Sequence, residues 1–473
     1  MVEPGRAAHT DVGPIPPVSR VIMIASAAAM GGFLFGFDTA VINGAVGAIG
    51  EWAQVGAAQL GFSVASALIG CAFGAWFAGA LAAKFGRIAV MKIAALLFFA
   101  SSLGCGFVWD IWSLTAFRLI GGLAVGAASV IAPAYIAEVS PASIRGRLGS
   151  LQQLAIVTGI FVALLCDYAL AAAAGGAANP LWFGLEAWRW MFMSECVPAL
   201  IYGALAFKIP ESPRYLVSKG RLEEAAQILE HYVGGSPSEK IAQIQETSHT
   251  EVKQSFSVLR GPNLGLLPIV WVGLLLACFQ QFVGINVIFY YSSVLWRAVG
   301  FGESESLLIT VITSVTNIVV TVVAIMLIDK LGRKMLLLIG SGGMAATLGT
   351  MAYIFGTAPL DPATGQPNLV GAAGTVAIIA ANLYVVFFGV SWGPVMWVML
   401  GEMFNNKIRA YALAVAGAAN WAANFVVSQT FPMLSEAGLG LAYGIYTTMA
   451  LVSFVFVVRL VRETRGRELE DME

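Results

Sequence analysis

Long apolar stretches separated by short polar ones are the main feature of this sequence. Twelve of them reach the length of about 20 residues that an α-helix needs to cross the hydrocarbon core of a bilayer. They lie near residues 21–46, 60–83, 89–109, 112–137, 149–172, 187–208, 264–295, 306–329, 335–356, 371–400, 410–433 and 439–460. The pattern therefore predicts an all-α protein with twelve membrane-spanning helices.

The polar stretches divide the twelve segments into two groups of six. One long polar segment separates the groups, and its RLEEAAQILEHYV sequence has the periodicity of a short amphipathic helix that stops at a Gly-Gly pair. We expect short cytoplasmic helices there and no catalytic domain. The predicted organisation is a disordered tail (1–20), an N-terminal half (21–208), a helical linker (209–263), a C-terminal half (264–460) and a second tail (461–473).

The composition excludes a soluble globular protein. Charged residues occupy only 11% of the 473 positions, whereas a soluble domain carries roughly 25%. A net charge of −1 gives no sign of a nucleic-acid partner. The five cysteines lie in apolar runs without the spacing of a metal site, so we expect them to be buried small hydrophobes. No metal and no cofactor are expected.

The distribution of charge predicts the orientation in the membrane. If both termini are cytoplasmic, the inside loops carry Lys84, Arg87, Lys92, Arg145, Arg147, Lys330, Arg333, Lys334, Lys407 and Arg409. The outside loops then carry Glu51, Asp110, Glu186, Glu303, Glu305, Asp361 and Glu436, with almost no lysine or arginine. Because cytoplasmic loops concentrate positive charge, we expect both termini in the cytoplasm.

The two groups of six segments repeat one another. Phe85-Gly86-Arg87 follows the second segment, and Leu331-Gly332-Arg333 follows the eighth. A glutamate and then an Ile-Arg pair follow the fourth and the tenth segments, at 138–145 and 402–409. The halves end in the related sequences PESPRYL and RETRGRELE. Two halves in the same orientation are typical of a large class of transporters that bind substrate between the halves, near the membrane midplane.

Three charged residues interrupt the apolar segments, namely Asp38, Arg118 and Glu195. Counted from the outer ends of their helices at ~1.5 Å per residue, all three lie ~9–12 Å below the outer surface. Charges at one depth can neutralise each other, whereas an isolated one is costly in a membrane. Two interpretations remain open. The three residues form either a static ion-pair network or a proton site in which Arg118 holds Asp38 ionised until a proton releases it.

Amide and aromatic side chains inside the apolar segments predict a site for a neutral polyhydroxylated ligand. The seventh segment supplies Gln280, Gln281, Asn286 and Tyr290. Their spacing does not form one straight stripe on a helix, so we expect a local break near Gly284 that brings them together. Further candidates are Gln153, Asn317, Trp397, Asn420 and Trp421. The alternative interpretation is that these amides only join neighbouring helices by hydrogen bonds.

Seven motifs carry a resemblance to a known family. They are GGFLFGFDTAVINGA, FRLIGGLAVG, APAYIAEVSPASIRGRLGSLQQL, PESPRYLVSKGR, QQFVGINVIFYYSS, IDKLGRK and SWGPVMWVMLGEMF. With these motifs the sequence resembles the sugar porter family of the major facilitator superfamily along nearly its whole length. The resemblance is closest to bacterial, including cyanobacterial, glucose–proton symporters, and the sequence is also similar to the xylose–proton symporter.

The resemblance implies a symporter that imports a hexose, D-glucose or fructose, with a proton by alternating access. Asp38 and Arg118 would couple the two movements, with Glu195 linked to them. The candidates above would bind the sugar, together with Gly393, which would give its helix the flexibility to close. The residues implied for a cytoplasmic gate, with ordinary surface charge as the alternative, are Arg87, Glu138, Arg145, Glu211, Arg214, Asp329, Arg333, Glu402 and Arg409.

The sequence departs from the family pattern in two places. Ala83 stands where the loop after the second segment usually has an acid, although Asp329 keeps the acid in the second half. Because that acid helps to close the cytoplasmic side, its loss is expected to weaken the outward-open state. Arg462 stands where the tail motif usually begins with proline.

Other functions remain as alternatives. The same fold could run uncoupled, as a facilitator, or it could carry a pentose or a polyol with the proton. A transporter-like sugar sensor is disfavoured because such sensors have long cytoplasmic tails. An enzyme is disfavoured because the sequence has no nucleophile–base pair or metal cluster. We expect a multi-pass protein of the bacterial inner membrane that functions as a monomer, with a glucose-like sugar, a proton and the lipid bilayer as its partners.

Overall fold

The computed structural model describes residues 18–141, 145–234, 236–250, 256–262, 264–360, 367–369, 371–404 and 408–464. Within this part the chain forms helical columns connected by short loops. We call each column a rod and number the rods 1 to 12 along the chain. Because consecutive rods run in opposite directions, Val18 and Thr464 lie at the same end of the bundle, here called the terminal end. The opposite end is called the far end.

The N-terminal half contains rods 1 to 6. Rod 1 is α1 (Val18–Ala40) with α2 (Ile42–Ala53), and rod 6 is α7 (Ala187–Ser194) with α8 (Cys196–Ala206). Rods 2 to 5 are α3 (Ala57–Phe85), α4 (Arg87–Gly106), α5 (Ile111–Val139) and α6 (Arg145–Ala174).

The linker forms small helices at the terminal end. They are α9 (Pro213–Ser218), α10 (Leu222–Ile228), a π-helical turn (Leu229–Val233), α11 (Pro237–Thr250) and a 3₁₀ turn (Phe256–Leu259). The expectation of short helices between the halves agrees with these elements. Leu216, Val217 and Ala225 form a small apolar cluster of their own, separate from the cores of the two halves.

The C-terminal half contains rods 7 to 12. Rod 7 is α12 (Pro268–Phe282) with α13 (Ile285–Ala298), and rod 10 is α16 (Ala372–Gly389) with α17 (Trp392–Met403). The others are α14 (Glu303–Leu331), α15 (Arg333–Thr357), α18 (Arg409–Ala437) and α19 (Leu439–Leu460).

Within the described ranges, ten of the rods are long and apolar enough to cross a membrane. The other two are rod 6, which is interrupted at Glu195, and rod 11, which is α18. The middle of α18 carries the polar residues Asn420, Asn424 and Gln429, which lower its hydropathy. The twelve predicted helices are therefore present. The two that fall short of the length or hydropathy of a membrane span are rod 6, because of its break, and rod 11, because of its amides.

Four rods are interrupted, each for a local reason. In rod 6, Pro198 has no N–H to offer the carbonyl of Ser194, so the helix breaks at Glu195. In rod 10, Pro394 plays the same part just after the break at Ser391. In rod 7, Gly284 has a φ of +85°, which a residue with a Cβ rarely adopts. The expected break near Gly284 is thus present.

The bend in rod 1 falls at Val41, between α1 and α2. Thr39 lies just before it, and its hydroxyl donates to the carbonyls of Phe35 (2.8 Å) and Gly36 (3.1 Å). Such back-bonding competes with the helical ladder and bends helices. The bend therefore follows directly from the sequence around Asp38.

The buried apolar residues show how the halves meet. One core cluster contains only N-terminal-half residues from the terminal end of rods 1 to 6, such as Ile24, Ala82 and Tyr135. The other cluster joins the far end of the N-terminal half, including Val46 and Trp188, to residues throughout the C-terminal half. The two halves thus share a continuous apolar core at the far end.

Candidate functional site

Asp38 and Arg118 form an ion pair in the middle of the N-terminal half. Arg118 Nη1 lies 3.2 Å from Asp38 Oδ1 and 3.0 Å from the Asp38 carbonyl oxygen. Asp38 is 1% exposed and Arg118 is 2% exposed. A Cβ on Gly121, one turn after Arg118, would lie 2.9 Å from Asp38 Oδ1, so glycine leaves room for the carboxylate. The depth count correctly predicts that these two helices bring opposite charges together.

Glu195 is buried nearby but is held differently. Its Oε2 accepts a hydrogen bond of 2.8 Å from Ser102 on α4, and Ser102 is itself buried. Arg118 approaches rod 6 one turn before Glu195, where its guanidinium lies 5.8 Å from the centroid of the Phe192 ring on α7. Asp38 is thus paired with Arg118, whereas Glu195 is hydrogen-bonded to Ser102.

Both carboxylates of this region have one oxygen without a hydrogen-bond partner, namely Asp38 Oδ2 and Glu195 Oε1. Arg118 Nε also has none. Unsatisfied buried polar atoms are costly and concentrate at functional sites. The unpaired Oδ2 of Asp38 is therefore available to accept a proton.

Asp167 on α6 is a further buried carboxylate within the apolar rods, and the sequence analysis missed it. It is fully buried, and its Oδ2 accepts a hydrogen bond of 3.0 Å from the Gly44 N–H. The signal that identified Asp38, a carboxylate within a long uncharged stretch, is equally present around Asp167.

The break at Gly284 builds the polar centre of the C-terminal half. A Cβ at this position would lie 2.9 Å from the Tyr446 ring, so both φ and space require glycine. The break leaves the Val283 carbonyl without a helical partner, and this carbonyl accepts a hydrogen bond of 2.7 Å from the Tyr384 hydroxyl. With its backbone satisfied in this way, rod 7 turns Gln281 and Asn286 toward each other.

Four of the predicted sugar-binding amides form one hydrogen-bonded network. Asn286 Nδ2 donates to Gln281 Oε1 at 2.6 Å, and Gln281 Nε2 donates to Asn420 Oδ1 at 3.2 Å. Asn420 Nδ2 donates to Gln280 Oε1 at 2.8 Å. Gln280 Nε2 donates to the carbonyls of Trp392 (3.0 Å) and Gly393 (3.2 Å) at the rod 10 break. Helices α12, α13, α17 and α18 thus present a connected set of donors and acceptors.

Apart from Gly393, whose carbonyl accepts a hydrogen bond from Gln280, the other predicted sugar residues lie outside this network. Tyr290 is buried and accepts a 3.5 Å hydrogen bond from Asn424, which the sequence analysis did not select. Trp421 packs on Phe35 of the other half, with ring centroids 6.1 Å apart. Asn317 is half-buried.

Gln153 and Trp397 are the exposed members of the predicted set. Trp397 is 46% exposed. The neighbour of Gln153, Gln152, is buried against Gly32, where a Cβ would lie 2.7 Å from Gln152 Nε2. Gln152 Oε1 has no hydrogen-bond partner. On this helix the buried amide is therefore Gln152, which the sequence analysis passed over for its neighbour.

Asn43 joins the two halves at the far end. Its Nδ2 donates to the carbonyls of Phe289 (3.0 Å) and Ile288 (3.3 Å) and to Ser292 Oγ (3.0 Å) on α13. Its Oδ1 accepts from the Ser293 N–H at 3.0 Å. Asn43 is completely buried. This contact is a far-end latch between α2 and α13, and nothing in the sequence marked it.

Further contacts between the halves lie at the same end. Arg297 on α13 pairs with Glu51 on α2 at 3.4 Å. Glu303 Oε1 accepts from the Ala177 N–H at 2.7 Å, and Gln429 Nε2 donates to the Ala58 carbonyl at 2.9 Å. Together with the shared core, these contacts close the far end of the bundle.

A cluster of charged residues lies at the terminal end of the N-terminal half and joins α4, α5 and the start of the linker. Arg87 Nη2 pairs with Glu138 Oε1 at 2.8 Å, and Ser212 donates to the other oxygen of Glu138. Glu211 accepts from the N–H groups of Arg87 (2.9 Å) and Ile88 (3.2 Å), which begin α4. We call these residues the first terminal cluster.

The C-terminal half repeats this cluster. Arg333 binds Glu402 with two donors, Nη2 to Oε1 at 2.7 Å and Nε to Oε2 at 3.0 Å. Thr464 donates to Glu402 Oε2 at 2.6 Å. Glu463 accepts from the N–H groups of Arg333 and Lys334, both at 2.9 Å, at the start of α15. We call these residues the second terminal cluster. The repeated motifs in the sequence thus have repeated contacts.

The remaining predicted gate residues differ in what can be described. The side chains of Arg145 and Asp329 lie outside the described part. Arg409 donates through Nε (3.2 Å) and Nη2 (3.0 Å) to the Phe404 carbonyl. Arg214 is exposed and lines a cavity of about 550 Å³ between α5, α9 and α11.

Comparison with known proteins agrees with this geometry. The family model described as "Sugar (and other) transporter" matches residues 24–473. A "Glucose transport protein" of Synechocystis is 58% identical over 96% of this chain and 97% of that protein. The "D-xylose-proton symporter" of Escherichia coli K12 is 38% identical over 96% of this chain and 95% of that protein.

Solved structures give the same result. The inward-open conformation of the xylose transporter XylE from E. coli superposes with a TM-score of 0.80. It is 36% identical and covers 96% of this chain and 99% of that one. In this chain the far end is closed by the latch and the shared core.

Proposed function

This chain belongs to the sugar transporter family, and from that premise we propose that it imports a hexose together with a proton. D-glucose is the substrate best supported, because a glucose transport protein shares 58% of its residues over nearly the full length of both chains. Fructose is the second candidate. The fold is that of the sugar porters of the major facilitator superfamily, in which the two halves alternate in exposing a central site.

The observation that carries the proposal of coupling is the buried Asp38–Arg118 pair. A buried charge pair is expensive to withdraw from water, and proton coupling gives it a role that the transport of a neutral sugar alone does not require. Protonation of Asp38 would cancel its attraction for Arg118. Arg118 keeps the Asp38 carbonyl as an acceptor, so the helices can separate without leaving the guanidinium wholly unsatisfied. Glu195 is the next acceptor that we propose for it.

For the sugar we propose the amide network of Gln280, Gln281, Asn286 and Asn420. In the absence of sugar these side chains bond to one another, so the polar groups are satisfied while the site waits for substrate. Sugar hydroxyls are both donors and acceptors, and they can replace these internal bonds one for one. Gly393, Trp397, Trp421 and Tyr290 would complete the site on the facing helices, and Gln153 and Asn317 would contact sugar at its margin.

We further propose that the terminal end faces the cytoplasm and that the protein works as a monomer in the bacterial inner membrane. The predicted bias of lysine and arginine toward the terminal end supports the orientation. The two terminal clusters, with Arg145, Arg214, Asp329 and Arg409, would then be the cytoplasmic gate. One chain supplies both halves, so no second copy is needed to complete the site.

The proposal is tested by uptake of labelled sugars into cells that lack their own sugar transporters. Glucose, fructose, xylose and galactose are compared, each with and without a protonophore. We expect glucose to accumulate above its outside concentration and the accumulation to collapse with the protonophore, because the proton gradient drives it.

Uptake that reaches only equal concentrations and ignores the protonophore would instead identify a facilitator. Preferential accumulation of xylose or a polyol would keep the coupling and change the substrate. Absence of uptake of any of these sugars by a protein present in the membrane would contradict the whole proposal.

A further inference from the structure

Asp167 is a buried carboxylate that the proposed proton and sugar sites do not use. It lies on α6 at the far end of the N-terminal half, with none of its surface exposed. Its Oδ2 accepts from the Gly44 N–H at 3.0 Å, and its Oδ1 has no partner. A buried carboxylate is costly inside a membrane protein, so we expect the contact that it makes to contribute to the structure or the transport cycle.

Gly44 is the third residue of α2, just after the bend at Val41. In an unbroken helix its N–H would donate to the carbonyl four residues earlier, but the bend removes that partner. Asp167 supplies the acceptor from a neighbouring helix, at the end of α2 where the helix dipole favours an anion. A Cβ on Gly44 would lie 2.5 Å from Asp167 Cβ, so glycine is required for this approach.

The residue before Gly44 is Asn43, the centre of the far-end latch. Its donor and acceptor groups bind α13 of the other half, including the Ser293 N–H. The first turn of α2 is therefore held from two sides: α6 of the same half binds Gly44, and α13 of the opposite half binds Asn43. If the contact between Gly44 and Asp167 loosens, the contact between Asn43 and α13 must change its geometry, because adjacent residues in one helical turn move together.

We propose that Asp167 is a positioning residue of the transport cycle that fixes the α1–α2 bend and thereby holds the far-end latch closed. This inference rests on the proposed alternating access, in which the latch must close and open once in each cycle. Asp167 acts through Asn43 and contacts neither sugar nor the transported proton. Its role depends on an acceptor oxygen at Oδ2, which asparagine also provides.

The first test is hydrogen–deuterium exchange of the purified full-length protein, without sugar, followed by mass spectrometry. In Asp167→Ala we expect faster exchange in peptides covering the start of α2 and in peptides covering residues 288–293 of α13. The increase should be about tenfold in both, as expected for the loss of a buried hydrogen bond that supports a cooperative contact. Asp167→Asn should stay close to the wild-type protein in both regions.

A double-mutant cycle with Asn43→Ala separates this role from general loosening. Asn43→Ala alone should raise exchange in α13, and adding Asp167→Ala should raise it no further, because both changes act through the same latch. Thr115→Val serves as the matched control, since Thr115 is a buried far-end residue whose hydroxyl bonds only within its own helix, to Ile111. It should leave α13 unchanged.

Three results would overturn the inference. They are an effect of Asp167→Ala confined to α2, additive effects in the cycle, and an Asp167→Asn variant as impaired as the alanine variant. If Asp167→Ala does not fold, Asp167→Val replaces it in the cycle, since valine fills the site but offers no acceptor.

The exchange rates do not depend on whether the protein transports sugar with a proton, because they are measured without sugar and without a proton gradient. Failure of the proposed function would be seen separately, as wild-type protein that performs no sugar counterflow in liposomes.

Discussion

Rods 1 and 7 occupy equivalent places in the two halves and have the same frame, yet they carry different chemistry. Rod 1 bends at Val41 and rod 7 breaks at Gly284. Three residues before each interruption stands a buried polar side chain, Asp38 in one and Gln281 in the other. Two residues after it stands an asparagine, Asn43 or Asn286. The local sequences VIN and GIN show the repeat directly.

The partners of these residues differ in a way that fits the separate tasks that we propose for them. Asn286 folds back on Gln281 and joins a network of neutral amides. Asn43 instead binds α13 of the other half and makes no bond to Asp38. Asp38 forms its ion pair with Arg118 of its own half. A charge pair responds to a proton, whereas amides respond to hydroxyl groups. In our proposal, the same interrupted-helix arrangement serves the proton in the N-terminal half and the sugar in the C-terminal half.

The largest effect is expected from Asp38→Asn, which removes the proton acceptor and keeps the shape. We expect accumulation driven by the proton gradient to be abolished while sugar counterflow continues, because the amide network is untouched. Arg118 retains the main-chain acceptor at Asp38, so the variant should still fold. The measurement compares uphill uptake and counterflow in the same membranes. Undiminished uphill uptake would show that Asp38 is not the coupling residue.

The reciprocal variant is Gln281→Ala, at the matching position of rod 7. It removes a donor and an acceptor that we propose for sugar hydroxyls, each worth about 0.5–1.5 kcal/mol, so we expect roughly a 10- to 100-fold lower kcat/KM for sugar. The ratio of protons to sugars should not change, because Asp38 and Arg118 remain intact.

Asn317→Ala is the control for Gln281→Ala, since this amide lies outside the network. A smaller loss in kcat/KM than that of Gln281→Ala is expected. If Gln281→Ala alters coupling but not sugar binding, the division of tasks between the halves is wrong.

The sequence was sufficient for the frame and for part of the site. Helical rise is fixed, so counting residues placed Asp38 and Arg118 at one depth and predicted their pairing. Depth does not determine which way a side chain points, however. Glu195 lies on Ser102 for that reason, and Gln152 is buried where Gln153 is exposed, since adjacent helical residues point about 100° apart.

Contacts between distant helices were the part that sequence could not supply. Asn43 looks like any polar residue near a helix bend, and only the structure shows that α13 receives its donors. Asp167 is a different case, because its apolar surroundings were visible in the sequence and were overlooked. The break at Glu195 could likewise have been inferred from Pro198.

The two terminal clusters offer a finer comparison, because they repeat the same contacts with one difference. Arg333 holds Glu402 through two nitrogens, whereas Arg87 holds Glu138 through one. Lysine can form only a point contact, so Arg333→Lys should lower thermal stability more than Arg87→Lys, by about 1 kcal/mol. Thermal unfolding of the two variants in one detergent measures this difference. Equal losses would mean that the second donor of Arg333 contributes nothing.

The smallest effect is expected from Ala83→Asp, which gives the first half the acid that the family pattern places there. Ala83 is exposed at the end of α3, one residue after the carbonyl that accepts from Arg87 Nη1 at 3.3 Å. An acid at the C-terminal end of a helix is unfavourable by about 0.3–1 kcal/mol, so it stabilises only the state in which the opposite half brings a cation to it. We therefore expect a shift of a few-fold toward the outward-open state, seen as slower labelling of cysteines introduced between the two halves at the terminal end. Ala83→Asn, which has the same size without the charge, should leave that labelling unchanged, and an equal shift in both variants would mean that charge is not the cause.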